Sequence, residues 1–213
     1  MVTGTKVRRP KEPVETDTKQ RIIDATLETL KEEGFAGTSA RAIARRGGFN
    51  QALIFYHFGT LSDLLLATMD YASLDRVQRY THAVEAARTI QQKIQVVADL
   101  YKEDLATGRI TVASELIAGS VGRPDLAPEV VKRMQPWLDL CEGTMGEVLA
   151  SVGLSRMISP KTASYAAISF FIGFDLLTNI ERDDSHVEDM LKVAAKLAPI
   201  LQVATRIFGG RRK

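Results

Sequence analysis

Apolar residues recur every three or four positions from Ile22 to Ile207, and no β-branched run bounded by turn residues interrupts them. That spacing is helical rather than extended, so the chain is restricted to an all-α fold. Glycine, proline and capping residues divide it into about nine helices. The first spans Lys19 to Glu33, with Ile22, Ile23, Ala25, Thr26, Leu27 and Leu30 mostly on one face and Gly34 as its stop. Thr38 or Ser39 caps a short second helix that ends at Gly47-Gly48. Asn50 caps a third, through His57, and Thr60 caps a fourth with the stripe Leu61, Leu64, Leu65, Thr68, Met69 and Ala72. Further helices are predicted from Val84 to Ala106, from Ile110 to Ala118, and from Pro128 to Leu149 with a kink at Pro136. Two more open at Ser159-Pro160 and at Ser185.

Four segments follow. Residues 1–17 are Pro- and charge-rich and read as a disordered arm, 18–78 as a small domain, 79–208 as a larger helical bundle, and 209–213 as a tail. No run of eighteen apolar residues occurs, and the first twenty residues lack an apolar core, so neither a membrane span nor a signal peptide is expected. Cys141 is the single cysteine, which excludes an intrachain disulfide and suits a reducing cytoplasm.

The net charge of +2 is uninformative, but its distribution is not. Residues 1–60 carry ten Lys/Arg against seven Asp/Glu, and the remainder eighteen against nineteen. Between Glu33 and Asp63 there is no acid, while Arg41, Arg45 and Arg46 fall inside. Such a window can lie along a phosphate backbone without repulsion.

The same window meets the requirements of a helix-turn-helix, which needs two helices in close approach, a turn residue with positive φ, and polar side chains at the start of the second helix. Ala44 is small enough for the approach, Gly48 can take the turn, and Phe49 and Ile54 fill the space beneath it. Gln51 carries an amide fork that can pair with adenine N6 and N7. Asn50 can cap its helix or reach a phosphate. Tyr56 and His57 can bond backbone oxygens, and Phe55 or Ala52 can lie against a base. Arg41 suits a phosphate or a guanine at the groove edge. With Thr38 and Ser39, these form the candidate interface to double-stranded DNA.

The stretch Gly34-Phe-Ala-Gly-Thr-Ser-Ala-Arg-Ala-Ile-Ala-Arg-Arg-Gly-Gly-Phe-Asn-Gln-Ala-Leu-Ile-Phe-Tyr-His-Phe58, continuing through Thr60, Asp63 and Leu64, resembles the tetracycline-repressor (TetR) family of transcriptional regulators. The resemblance covers roughly residues 18–70. It implies a dimeric repressor that reads a near-palindrome and is released when a ligand enters the larger domain. Two departures stand out. The family usually has Ala-Gly-Val-Ser where this chain has Gly47-Gly48-Phe49-Asn50, so Phe49 should set the recognition-helix angle differently. A phosphate-binding lysine is common where this chain has Leu61.

In the larger domain, the helices beginning at Pro160 and Ser185 are apolar all round and need covering on every side. A second copy, packed as a four-helix interface, would supply the cover, with Tyr165, Ile168, Ile172, Asp175, Asn179, Leu197, Leu201 and Ala204 as its residues. The alternative is that both helices are central in one bundle. Tyr101, Glu115, Met134, Trp137, Leu138, Cys141, Phe170, Phe171 and Phe174 are the candidate lining of a small-molecule site near Pro136, with plain core packing the commoner role for its aromatic rings. Cys141 lies on an apolar stripe without an adjacent base and reads as an inert thiol. The arm Lys6-Val-Arg-Arg-Pro-Lys11 can enter a minor groove or merely solubilise the chain. No metal spacing, phosphate-cradling loop or nucleophile triad is present, so neither a metal, a cofactor nor an enzyme is expected. A constitutive or architectural DNA-binding protein is the competing reading.

Overall fold

The computed structural model describes residues 12–151 and 153–181, with 185–186, 189–190, 192–193 and 196 beyond them; side chains are described from Asp17 onward. Among these residues there are nine α-helices and no strand. They are α1 (Glu12–Gly37), α2 (Ala40–Gly47), α3 (Ala52–Phe58), α4 (Leu61–Ser73), α5 (Arg76–Ala86), α6 (Ile90–Ala106), α7 (Arg109–Ser120), α8 (Ala127–Ser151) and α9 (Pro160–Glu181). Contacts divide the chain into two units between Thr68 and Met69, ten residues before the expected boundary at 78. The division falls inside α4, whose continuous helix gives no compositional break to read.

Two expectations about the elements need correction. The helix expected at Lys19 begins at Glu12, within the segment read as disordered. Pro13 sits in its first turn, where a missing N–H costs nothing. The single helix expected over Val84 to Ala106 is two, α5 and α6. Thr89 and Gln92 form a reciprocal capping box: Gln92 N–H donates to Thr89 Oγ1 at 3.1 Å, and Thr89 N–H donates to Gln92 Oε1 at 3.2 Å. Pro136 stands inside α8, which runs as one helix from Ala127 to Ser151. Of the helix expected from Ser185, residues 185, 186, 189, 190, 192, 193 and 196 are helical, and the rest lies outside the described residues.

The first unit is a small core wrapped by α1, α2, α3 and the start of α4. Ile22, Ala25, Ile43, Ile54 and Leu64 are buried at its centre, and Leu53, Phe58 and Leu61 pack against them. The hydroxyls of Thr26 and Thr29, buried in α1, donate to carbonyls four residues back at 2.8 and 2.7 Å, which satisfies them without a partner helix. α1 is interrupted at Gly34, whose φ of 67° only glycine adopts readily.

In the second unit, α5 packs on α6 and α8, α7 on α6, α8 and α9, and α8 on α9. Val84, Val112, Leu116, Leu126, Val130, Leu138 and Leu149 are buried there. Arg133 on α8 pairs with Asp70 near the end of α4 at 2.8 Å. By length and composition α9 could cross a bilayer, contrary to the expectation that nothing in the chain would. Its buried Asp175, however, is hydrogen-bonded inside this unit, accepting from Asn179 Nδ2 at 3.1 Å.

Candidate nucleic-acid interface

Local chemistry fixes the helix-turn-helix. Ser39 is extended and its hydroxyl accepts from the Ala42 N–H at 3.2 Å, capping α2. Gly48 closes α2 with φ 66° and ψ 35°, the left-handed conformation the turn demands. Asn50 Oδ1 accepts from the Ala52 N–H at 2.8 Å, so Asn50 caps α3 from one residue outside it. Thr60 does the same for α4, its hydroxyl accepting from the Asp63 N–H at 3.0 Å. The turn itself answers the question raised by Phe49. A Cβ on Gly47 would lie 2.0 Å from Phe49 Cε1 and 3.0 Å from Ala25 Cβ. Phe49 therefore folds back over residue 47, and only glycine leaves it room.

With Ile43 and Ile54 turned into the core, α3 presents the opposite face to solvent. Gln51 and Ala52 are exposed, as are Phe55 (49%) and Tyr56 (74%). Large apolar rings left this open on a seven-residue helix, beside an exposed Arg41 and Ser39, make a surface shaped for a groove rather than for packing. Two predicted members do not join it. Thr38 is 9% exposed and donates its hydroxyl to the Gly34 carbonyl at 2.6 Å, so it ties α2 to the end of α1. His57 is half-buried, with Nδ1 enclosed and without a hydrogen-bond partner, its ring edge-on to Tyr56 at 4.9 Å.

The acid-free window is not acid-free in space. Arg45 pairs with Glu33 at 3.1 Å, and Arg46 with Glu32 at 2.7 Å and Glu33 at 3.4 Å. The hydrogen bond from Arg46 holds the Glu32 carboxyl below the usual carboxylate range. Of the three arginines, Arg41 alone has no ion pair among the described residues.

Residues 22–68 match the model of the bacterial regulatory proteins of the tetR family. That segment is similar to the DNA-binding part of this family. An HTH-type transcriptional regulator of Mycobacterium bovis is 23% identical over 165 residues, 77% of this chain and 78% of that one. An HTH-type transcriptional repressor of Mycobacterium tuberculosis is 26% identical over 167 residues, covering 75% and 82%. The fold is shared with the regulator FadR of Bacillus subtilis, solved in complex with stearoyl-CoA, at TM-score 0.67 and 17% identity over 84% of this chain and 96% of that one.

The second unit contains a cavity of about 230 Å³, lined almost entirely by apolar atoms. Five predicted residues line it: Tyr101, Met134, Trp137, Cys141 and Phe171. Four do not. Leu138, one step round α8 from Trp137, is buried in the core; Phe170 is 54% exposed; Phe174 stacks on Phe170 at 5.8 Å; and Glu115 lies off the lining. Burial raises the Cys141 thiol above its ordinary value, consistent with an inert thiol.

Arg76 and Tyr80 were missed altogether. Arg76 is 5% exposed and lines the cavity; its Nε and Nη2 donate to Asp104 Oδ2 at 2.9 and 2.6 Å. Tyr80 Oη donates to the same oxygen at 2.8 Å. The guanidinium carbon lies 5.1 Å from the Trp137 ring centroid, and the Tyr80 ring meets Trp137 edge-on at 5.2 Å. No sequence signal joins positions 76 and 104; only the packing of α5 on α6 does.

The predicted interface residues on α9 split between two faces. Ile168 and Ile172 line the cavity and Asp175 is buried against Asn179, so they face into their own protomer. Tyr165, Phe170, Leu177 and Ile180 form the exposed face instead. A helix apolar on every side carries no phase in its sequence, which is why the two faces were merged. Leu197, Leu201 and Ala204 lie outside the described residues.

Proposed function

We propose that the chain is a cytoplasmic repressor that binds a palindromic operator as a homodimer and is released by a small apolar ligand held in the cavity of the second unit. The open Gln51-Ala52-Phe55-Tyr56 face of α3 carries the reading: its apolar rings are otherwise without a reason to be exposed. Gln51 reads an adenine, Phe55 and Ala52 lie against base edges, and Ser39, Arg41 and Tyr56 hold phosphates. Asn50 is spent on its cap. His57 supports Tyr56 from behind.

The exposed apolar face of α9 supports self-association, since Tyr165, Phe170, Leu177 and Ile180 would be covered by the same helix of a second copy. Repression is supported by the mycobacterial repressor relative, and a small-molecule effector by the FadR neighbour, solved in complex with stearoyl-CoA. At about 230 Å³ the cavity falls below the ~300–1,000 Å³ of drug-sized sites, so the effector is small. Met69 and Ser73 of α4 stand in its wall, and α4 begins at Leu61 in the recognition unit; a ligand that displaces them acts on a helix shared by both units.

Selection of bound sites from random DNA tests the whole reading: the expected product is an inverted repeat. On that site Gln51→Ala should cost ~1–3 kcal/mol per half-site and relax one base step, whereas Arg41→Ala should weaken all sequences alike. Recovery of no enriched sequence would favour the constitutive, architectural alternative.

A further inference from the structure

The cavity is unusual in where its charge resides. Among the described residues Arg76 is the one ionised side chain in its wall, and that charge is already matched by Asp104 at 2.6 Å. Three of the polar groups around it are likewise engaged. Tyr80 donates to Asp104, Thr144 donates to the Leu140 carbonyl at 2.8 Å, and Ser114 is hydrogen-bonded to Asp175. Ser73 and Tyr101 add two further hydroxyl-bearing side chains to the wall; the rest of the lining is hydrocarbon, aromatic ring or sulfur, from Val84, Val97 and Ile117 to Trp137, Met145 and Phe171. Of the guanidinium's nitrogens, Nε and Nη2 are committed to Asp104, while Nη1 takes part in neither bond.

An anionic ligand entering this space meets a cation whose counter-ion is in place. It must either remain unpaired in an apolar enclosure or displace Asp104, which is 3% exposed and would then be buried without its partner. Both outcomes leave an uncompensated buried charge. A neutral ligand meets no such cost. It can lay an apolar body against Trp137 and Phe171 and offer a carbonyl, ether or hydroxyl oxygen to the N–H groups of Arg76 Nη1. The volume sets its size: a cavity of about 150 Å³ accepts benzene, so 230 Å³ accepts a substituted single ring or a short branched chain.

We propose that the effector site selects an uncharged, single-ring-sized ligand bearing one hydrogen-bond acceptor, and that the Arg76–Asp104 pair is the specificity element that admits the acceptor and refuses a carboxylate. This rests on the cavity being the effector site, but ligand charge and DNA release can be measured separately.

Cys141 lines the cavity and is the only cysteine, so its alkylation by iodoacetamide, followed by intact mass at alkaline pH, reports occupancy on the full-length protein without DNA. The probes are methyl benzoate, benzoate and toluene. Methyl benzoate should protect Cys141 at concentrations at least about tenfold below benzoate, and toluene, lacking an acceptor, should fall between them. Asp104→Asn leaves Arg76 without its counter-ion, and the order should reverse, with benzoate about tenfold better than the ester. Should Asp104→Asn not fold alone, benzoate and not methyl benzoate should restore its thermal transition. The proposal is overturned if benzoate protects the unaltered protein as well as the ester does, if neither protects up to about 1 mM, or if Asp104→Asn keeps the original order. Protection by methyl benzoate without release of a selected DNA site would reject the effector reading and leave the ligand class standing.

Discussion

Gly47 is helical, so nothing in its own backbone requires glycine; what requires it is Phe49. An alanine there would gain from helix propensity, by at most ~1 kcal/mol relative to glycine. Against that, its Cβ would stand 2.0 and 2.6 Å from two ring carbons of Phe49 and 3.0 Å from Ala25 Cβ, a wall on both sides. Relieving such a clash in a packed site costs ~1–3 kcal/mol, so Gly47→Ala should destabilise by about 1–2 kcal/mol net. With Phe49→Val the ring clash goes and only the tight approach to Ala25 Cβ is left, so the same Gly47→Ala change should be about neutral. The coupling in the double-mutant cycle is then about 1–2 kcal/mol, measurable by urea denaturation monitored by circular dichroism. A neutral Gly47→Ala in the Phe49 background, or an equal cost in both backgrounds, would refute the reasoning.

Three further outcomes follow from the geometry. Leu61 packs on the first core, and Leu61→Lys should steepen the salt dependence of DNA binding by about one unit of slope per half-site while costing some stability; an unchanged slope in a salt titration rejects the phosphate role. Burial, with the Glu115 charge adding to it and hydrogen bonds from Ser114 and Asn179 opposing, holds the Asp175 carboxyl above the usual carboxylate range. The fold therefore favours its protonated form, a contribution complete below the unfolded value near 3.8 and lost as pH rises through the folded value. Asp175→Asn should accordingly be more stable than the parent at neutral pH, with the advantage fading toward about pH 3 in a thermal-denaturation series. Leu177, 59% exposed on α9, should tolerate Leu177→Glu in the protomer, yet sedimentation should show the assembly shifted to monomer and DNA affinity reduced.

What could be read from the chain is what depends on neighbours in sequence. The caps at Ser39, Asn50 and Thr60 and the left-handed Gly48 act within three or four residues, and each stands where the pattern placed it. The break between α5 and α6 was also local, written in Thr89 and Gln92, and was passed over because the apolar stripe appeared to run through it. The rest was not local. Arg45 and Arg46 are neutralised by glutamates at the far end of another helix, and Arg76 meets Asp104 across 28 residues. The two faces of α9 are equally apolar, so only packing against α7 and α8 decides which one is inward.

The Arg76–Asp104 pair also gives the site a direction in which it can change. Loss of Asp104 leaves a buried cation that an abundant class of small acids could neutralise, so a single substitution can retune such a regulator to new chemistry. Loss of Arg76 leaves a buried anion, for which few small metabolites of suitable size carry the opposite charge. In a lineage of duplicated regulators, position 104 should therefore drift before position 76.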